Sequence, residues 1–474
     1  MKTDENFEFP YACKSTKVAD LKGQVTIPGD KSISHRSLMF GGIAEGETII
    51  NGLLASEDVY CTAAALTEAG AKIHQEGSQW RVIGVGKKGL KSPDTVLDMG
   101  NSGTSTRLLL GLFAGYNLSA FFAGDASLTK RPMKRVTGPL SEMGATFISR
   151  DETYLPIAVQ SSGDLKAIEY EMPIASAQVK SAILLAGLNA KGTTKVIEPA
   201  PTRDYTETML RQFGVEVNVD GNVITIEGGQ SLTGCAIDVP ADPSSAAFPV
   251  VAALITPGSD IVLPNIGLNK RRSGLYETLI EMGANIEFKN ERNDGGEPVA
   301  DLHVKYSQLK AVKVPAERVP SMIDEFPILS VAASCAEGDT RMSGLEELRV
   351  KESDRLGVMA RGLAACGVDL DEGEDSLVIR GNGKPPKGGA VIETHLDHRI
   401  AMSFLVLGCV TEAPVTIDDM RPIQTSFPDF ISVMDMLGAE FSLTGDTKID
   451  YDDELEMSDN LEIDLSDEII KHLT

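Results

Sequence analysis

The sequence repeats one short pattern six times: a large apolar residue, a glycine four positions later, and then alanine or valine. A helix that ends at a glycine and continues into a strand produces this pattern, because glycine readily adopts the left-handed conformation found just after many helices. Six copies at nearly equal spacing predict that one helix–strand unit is repeated six times. The six glycines are Gly70, Gly144, Gly214, Gly283, Gly367 and Gly438.

A second element accompanies each copy: a polar start followed by a long run of small and apolar residues. The runs are too long for ordinary strands and too polar at their start to span a membrane, so they predict helices buried within the protein. Short β-branched stretches, such as residues 195–197 and 223–226, predict strands between the helices. The six runs begin at Lys31, Asn101, Ser176, Asp242, Ile323 and Asp397.

Composition narrows the class of protein. A chain of 474 residues is expected to form two domains, and its net charge of −25 argues against nucleic-acid binding. The six cysteines are scattered without a Cys-x-x-Cys pair, which favours the cytoplasm over an oxidising compartment and argues against a zinc site. We expect neither a signal peptide nor a membrane span. Residues 446–474 carry eleven carboxylates against two lysines, and we interpret them as a solvated tail without a catalytic role.

The polar starts of the six runs carry charges that are costly to bury unless they are paired or bind a ligand. Ordinary N-capping accounts for Ser244 and Asp397, but not for Lys31, Arg36 and Arg399. Helix N-termini present unpaired N–H groups and the positive end of the helix dipole, so they attract anions. If the six starts face one crevice, we expect a substrate with phosphate or carboxylate groups.

Two further stretches are dense in charge. Residues 124–133 contain Arg131 just before a proline, and residues 348–355 contain five charged side chains. Such a run is most often a solvated helix face with ion pairs, so physical chemistry alone leaves a functional role open here.

Six motifs stand out along the sequence: PGDKSISHR (28–36), GNSGT (100–104), SAQVK (176–180), DEFP (324–327), KESDR (351–355) and DHR (397–399). Taken together and in order, they resemble those of the 5-enolpyruvylshikimate-3-phosphate (EPSP) synthase family. The similarity covers about residues 15–445. It implies an inside-out α/β barrel with two lobes, each of three repeats, with helices inside and sheets outside. Residues 30–240 would form one lobe, residues 1–29 and 241–448 the other, and residues 449–474 an acidic tail.

The resemblance implies transfer of the enolpyruvyl group of phosphoenolpyruvate to the 5-hydroxyl of shikimate 3-phosphate, with release of phosphate. This reaction belongs to the shikimate pathway, which leads to chorismate and the aromatic amino acids, and it needs no metal or organic cofactor. Asp324 would take the proton from the attacking hydroxyl, Glu352 would protonate the methylene carbon, and Lys31 would contact both substrates. Shikimate 3-phosphate would bind Lys31, Ser32, Arg36, Ser176, Gln178, Arg203, Asp324 and Lys351. Phosphoenolpyruvate would bind Lys31, Gly103, Arg131, Gln178, Arg355 and Arg399.

Within that family the sequence is similar to the second branch, which includes enzymes that tolerate the herbicide glyphosate. Thr425 stands where the short-chain branch has lysine, and residues 202–207 and 348–355 also favour the second branch. The well-known tolerant enzymes, however, have alanine where Gly103 stands. We therefore expect glyphosate to inhibit this chain.

Two alternatives remain at the level of sequence. UDP-N-acetylglucosamine enolpyruvyl transferase shares the fold and the donor, but it uses a loop cysteine as acid, and the region around Arg131 has none. A non-catalytic anion-binding protein of the same fold would have no need for both Asp324 and Glu352. An assay of phosphate release with each acceptor separates the three.

Overall fold

The structure, a computed structural model, describes residues 11–443; the acidic tail predicted at residues 449–474 lies outside them. Every helix in this part of the chain is too short or too polar to span a lipid bilayer. Twelve α-helices alternate with strands along the described residues. They are α1 Lys31–Ile43, α2 Glu57–Glu68, α3 Gly103–Ala114, α4 Lys134–Met143, α5 Ala177–Gly187, α6 Tyr205–Gln212, α7 Pro243–Ile255, α8 Gly274–Glu281, α9 Phe326–Cys335, α10 Arg355–Ala365, α11 His398–Gly408 and α12 Phe430–Met436.

The odd-numbered helices are the six predicted apolar runs, and they are buried on nearly all sides. Every residue of α7 and of α11 is buried. The even-numbered helices bury one side only, as their partly exposed residues show. The repeat is therefore one inner helix and one outer helix, each followed by strands.

The strands of residues 11–443 are two to ten residues long and form six separate sheets. They are β1 Cys13–Thr16, β2 Lys22–Gln24, β3 Glu47–Asn51, β4 Lys72–Glu76, β5 Gln79–Ile83, β6 Leu97–Asp98, β7 Asn117–Ala123, β8 Thr146–Arg150, β9 Tyr154–Ser162, β10 Glu169–Glu171, β11 Thr193–Ile197, β12 Val217–Asp220, β13 Val223–Glu227, β14 Ala236–Asp238, β15 Asp260–Gly267, β16 Asn285–Asp294, β17 Glu297–Lys305, β18 Glu337–Ser343, β19 Asp369–Glu372, β20 Ser376–Asn382, β21 Val391–Ile392, β22 Val415–Ile417 and β23 Glu440–Leu443.

Five sheets have four strands and one has three, and they repeat one design. In β6-β7-β9-β8, for example, β6 pairs with β7 in parallel and the other two pairings are antiparallel. Burial alternates along β7 and β9, so one face of the sheet packs on the inner helices and the other is exposed. The other sheets are β14-β3-β5-β4, β10-β11-β13-β12, β16-β17-β15-β2, β18-β20-β19 and β21-β22-β1-β23. The predicted fold class, an α/β fold of repeats with helices inside and sheets outside, is confirmed.

The described residues form two compact units. The first unit contains residues 11–28, 241–293 and 297–443, and the second contains residues 29–240 and 294–296. Each unit has its own apolar core and three of the six sheets. The inner helices α7, α9 and α11 contact one another in the first unit, and α3 contacts both α1 and α5 in the second.

The six repeated glycines end the six outer helices, as the sequence pattern predicts. All six have positive φ, between 85° and 118°. In each copy the residue after the glycine donates its backbone N–H to the carbonyl of the large apolar residue that opens the pattern; Val215 donates to Leu210 at 2.9 Å, for example. This is the Schellman arrangement, which satisfies a carbonyl that the helix end leaves unpaired.

We expect Gly214→Ala to lower the free energy of unfolding by about 1–2 kcal/mol, because a Cβ disfavours the left-handed conformation. No neighbouring atom lies within 4 Å of the Cβ position at Gly214, where φ is 87°, so backbone strain acts alone. Gly214→Asn is the matched control, since asparagine tolerates this conformation, and should cost clearly less. Denaturant titration of the two variants measures the difference, and equal losses would contradict the prediction.

Candidate active site

In the first unit, the polar starts of three helices bring together all the site residues that the sequence predicts there. A 3₁₀ turn, Ile323–Glu325, precedes α9, and a second one, Glu346–Val350, precedes the loop that leads into α10. Arg355 is the first residue of α10 and Arg399 the second of α11. The predicted residues in this group, here called the first-unit cluster, are Asp324, Lys351, Glu352, Arg355 and Arg399.

Arg355 lies at the centre of the first-unit cluster. Its Nη1 atom lies 3.2 Å from Asp324 Oδ1, its Nη2 atom 2.5 Å from Glu352 Oε2, and its Nε atom 2.8 Å from Asp397 Oδ2. Lys351 Nζ also approaches Asp324 Oδ1, at 3.1 Å. Burial acts to lower the pKa of Arg355, but the three carboxylates outweigh it and hold that pKa above its ordinary value. The two predicted catalytic carboxylates therefore share one permanently charged guanidinium.

Arg399 is held by backbone and side-chain groups. Its Nη1 atom donates to the carbonyl oxygen of Asp324 at 2.8 Å and to Glu325 Oε1 at 3.3 Å. Asp397 caps α11 by accepting from the backbone N–H of Arg399. Among residues 11–443, no hydrogen bond is made by the Nε and Nη2 groups of Arg399. A guanidinium fixed through one nitrogen, with donors left over, is suited to bind an anion.

In the second unit, the predicted residues lie at the starts of α1, α3 and α5 and in two loops. Lys31 and Ser32 open α1, and Gly103 opens α3. Ser176 caps α5, and its hydroxyl accepts from the backbone N–H of Val179. The predicted residues in this group, here called the second-unit cluster, are Lys31, Ser32, Arg36, Gly103, Arg131, Ser176, Gln178 and Arg203.

Arg36 is buried and precisely oriented. Its Nε atom donates to Thr206 Oγ1 and its Nη2 atom to Ser181 Oγ, both at 2.8 Å, and its Nη1 atom donates to the carbonyl of Ser32 at 2.9 Å. These bonds use three of the five guanidinium N–H groups. Burial lowers the pKa of Arg36 to about 10, and the nearby charge of Arg203 contributes to the decrease. Arg36 thus stays charged at neutral pH with two donors left for an anion.

A second set of bonds surrounds Gly103. Arg131 follows the 3₁₀ turn Leu128–Lys130, and its Nη2 atom donates to Asn101 Oδ1 at 2.6 Å. Arg107, one helical turn after Gly103, donates from Nη1 to Gln178 Oε1 at 2.7 Å. A Cβ on Gly103 would lie 3.2 Å from Arg131 Nη1 and 3.3 Å from Arg107 Nη1. The guanidinium groups of Arg131 and Arg107 therefore both lie beside Gly103, which has no side chain of its own.

Lys31 forms an ion pair with Asp58 of α2, at 2.8 Å between Nζ and Oδ2. Asp58 is buried and was not predicted as a site residue. The pair holds the lysine amino group in place at the start of α1. An ammonium group paired in this way is available to a substrate as a local positive charge.

The structure adds two features that the sequence analysis missed. The first is Arg107, which the sequence could have indicated because it is a single charged residue in an otherwise apolar run. The second is a buried triad in which Lys180 Nζ lies 3.2 Å from Glu198 Oε1 and 2.6 Å from Glu207 Oε1. Burial raises the pKa of Glu207, and Lys180 offsets part of that increase. The triad anchors α6, which carries the Thr206 partner of Arg36.

One expectation about the helix starts was wrong. Ser244 does not cap α7; Asp242 does, by accepting the backbone N–H of Ser244 at 2.8 Å. Pro243 occupies the first helical position, where its missing N–H costs nothing, and this places the cap one residue before the proline. The Ser244 hydroxyl is consequently available for side-chain contacts.

Comparison with known proteins agrees with these features. The sequence model of EPSP synthase (3-phosphoshikimate 1-carboxyvinyltransferase) matches residues 15–434. A relative from Paramagnetospirillum magneticum, named 3-phosphoshikimate 1-carboxyvinyltransferase, is 57% identical over 434 residues, which cover 90% of this chain and 97% of the relative. A relative of the same name from Zymomonas mobilis is 56% identical over 444 residues, which cover 91% and 98%.

Solved structures give the same result. EPSP synthase from Acinetobacter baumannii aligns with a TM-score of 0.83 at 47% identity, covering 92% of this chain and 100% of that one. The enolpyruvyl transferase NikO from Streptomyces tendae aligns with a TM-score of 0.74, covering 92% and 99%; at 16% identity this likeness concerns the fold alone. Fold and sequence together define an enolpyruvyl transferase. More particularly, the chain belongs to the EPSP synthase family.

Proposed function

We propose that this chain transfers the enolpyruvyl group of phosphoenolpyruvate to the 5-hydroxyl of shikimate 3-phosphate and that the two clusters supply the site residues. The observation that carries the proposal is the first-unit cluster, in which Asp324 and Glu352 both contact Arg355 and Lys351 approaches Asp324. An acid, a base and donors for an anionic substrate are what this reaction requires.

The chemistry follows from the roles of the two carboxylates. Asp324 accepts the proton of the attacking hydroxyl as the new bond to the central carbon of phosphoenolpyruvate forms, and Glu352 delivers a proton to the methylene carbon. Phosphate then leaves, and loss of a proton from the methyl carbon restores the double bond. Arg355 and Arg399 bind the carboxylate and phosphate oxygens of the donor, since planar guanidinium groups match such oxygens in pairs.

The second-unit cluster supplies the remaining contacts in this proposal. Arg36 binds shikimate 3-phosphate with its two remaining N–H groups, and Arg203 adds positive charge. Arg131 and the backbone around Gly103 bind phosphoenolpyruvate, while Lys31 contacts both substrates. Ser32, Ser176 and Gln178 complete the shikimate 3-phosphate contacts together with Asp324 and Lys351.

We also propose a cytoplasmic enzyme that binds neither nucleic acid nor membranes and is inhibited by glyphosate. The thiols of all six cysteines are free, which suits a reducing compartment. The net charge of −25 disfavours contact with phosphate backbones and anionic lipid surfaces. We propose that residues 30–240 form one lobe and that residues 1–29 and 241–448 form the other.

Phosphate release from phosphoenolpyruvate tests the proposal directly. We expect release that depends on shikimate 3-phosphate and is absent with UDP-N-acetylglucosamine as the acceptor. Release only with the latter acceptor would assign the alternative transferase. Binding of both substrates without any release would identify a non-catalytic protein.

A further inference from the structure

A buried row of polar side chains in the first unit connects to Arg399 through Glu325. It consists of Glu325, Ser244 and Arg272, all at most 5% exposed. None of the three belongs to the residues that the sequence predicts to touch a substrate. Burial of two charges and a hydroxyl is costly unless these groups are paired.

The contacts in this row are continuous. Arg272 Nη2 donates to Ser244 Oγ at 2.5 Å and lies 3.3 Å from Asp242 Oδ1. The Ser244 hydroxyl donates to Glu325 Oε1. The same oxygen, Glu325 Oε1, accepts from Arg399 Nη1 at 3.3 Å. Glu325 therefore links Arg399 to a second, fully internal arginine through a single hydroxyl.

We infer that Glu325, Ser244 and Arg272 are positioning residues that fix the guanidinium of Arg399 for the anionic groups of the enolpyruvyl donor. The inference rests on the proposed function. Arg399 receives its orientation at Nη1, from Glu325 and from the carbonyl of Asp324, while its Nε and Nη2 groups stay available. The Ser244 hydroxyl donates to Glu325 Oε1 and so keeps that oxygen in contact with Arg399. Arg272 donates to Ser244 Oγ and so fixes the hydroxyl in turn.

The bonding also explains why Glu325 would be sensitive to its neighbours. Its Oε2 atom is buried without a hydrogen-bond partner among the described residues, so Oε1 carries all of its polar contacts. Removal of the Ser244 hydroxyl leaves this buried carboxylate with Arg399 as its one hydrogen-bond donor within the described part of the chain. The carboxylate and the guanidinium would then draw together, and the orientation of Arg399 would change.

Steady-state kinetics of Ser244→Ala tests the inference. We expect the KM for phosphoenolpyruvate to rise about tenfold. This is the size of effect expected if the reoriented Arg399 loses one hydrogen bond to this charged substrate. The KM for shikimate 3-phosphate and kcat should stay within about twofold, because a loss of ground-state binding of one substrate affects that substrate's KM. Ser245→Ala is the matched control: Ser245 is the next residue of α7, is also buried, and its hydroxyl makes no hydrogen bond among residues 11–443.

Glu325→Gln is the second variant, because it keeps the shape of the side chain and removes its charge. It should also raise the KM for phosphoenolpyruvate. The fold-increase in this KM for the double variant with Ser244→Ala should be clearly less than the product of the fold-increases of the two single variants, because both substitutions act through the contact between Glu325 and Arg399. Equal increases in both KM values, or a lower unfolding temperature with unchanged KM values, would reduce the row to a structural role and overturn the inference. An inactive wild-type enzyme would instead refute the proposed function.

Discussion

Asp324→Asn and Glu352→Gln will each slow turnover by at least about a hundredfold, the lower end of what a positioned acid or base contributes. Both substitutions keep the size of the side chain and an oxygen that can accept a hydrogen bond from Arg355. The contacts of Arg355 with position 324, at 3.2 Å, and with position 352, at 2.5 Å, can therefore still form. What each variant loses is the ability to take up or deliver a proton. Rates of phosphate release at saturating substrates measure the effect.

Glu346→Gln provides the control for this pair. Glu346 opens the 3₁₀ turn that leads toward Lys351 and Glu352, but its side chain is exposed. We expect wild-type turnover from this variant, since exposed substitutions away from a site change little. The thermal unfolding temperatures of all three variants should stay close to that of the wild type. Wild-type turnover in either site variant would remove that carboxylate from the mechanism.

The repeat and its helix ends could be predicted because their causes are local. A left-handed glycine and the Schellman hydrogen bond involve residues within one turn of each other, so six copies of a short pattern were enough to place six helix ends. The inner helices were equally visible, because a helix that is apolar on all sides, such as α7 or α11, leaves no periodic polar face.

Many hydrogen-bond partners of the site residues could not be predicted, because they come from distant parts of the sequence. Arg36 bonds to Thr206, which lies 170 residues further along the chain. Lys180 sits within a predicted motif, yet nothing near it indicates that Glu198 and Glu207 neutralise it. Arg36, Arg107 and Arg399 each bond to a residue of another repeat, and sequence patterns within one repeat carry no information about that pairing.

Arg107 shows where a signal was present and was not used. It is the one charged residue between Gly103 and Ala114 of α3, and a charge in an otherwise apolar run requires a partner or a ligand. The structure places its guanidinium against Gln178 and beside Gly103. The neighbourhood of Gly103 is therefore more crowded with positive charge than the family motif alone suggests.

Glyphosate will inhibit the wild-type enzyme, and Gly103→Ala will weaken that inhibition by a factor of about 10 to 200, the range expected for one added methyl-sized group in a binding pocket. The new Cβ would lie 3.2 Å from Arg131 Nη1, closer than an ordinary contact. Arg131 cannot withdraw freely, because Asn101 and Ser127 accept hydrogen bonds from its Nη2 atom. The methyl group therefore takes space beside the guanidinium, and a ligand longer than phosphoenolpyruvate loses more from this than phosphoenolpyruvate does.

The comparison requires the inhibition constant for glyphosate and the KM for phosphoenolpyruvate in both forms of the enzyme. Gly42→Ala is the matched control, because its Cβ would make ordinary contacts of 3.4 to 3.6 Å with Leu66 and Ala71, and both constants should be unchanged. A wild-type enzyme that is indifferent to millimolar glyphosate would contradict the first part of the prediction. Equal weakening of the two ligands by Gly103→Ala would contradict the second, because the methyl group would then be displacing Arg131 and Arg107 from both ligands alike, rather than excluding the extra length of the inhibitor.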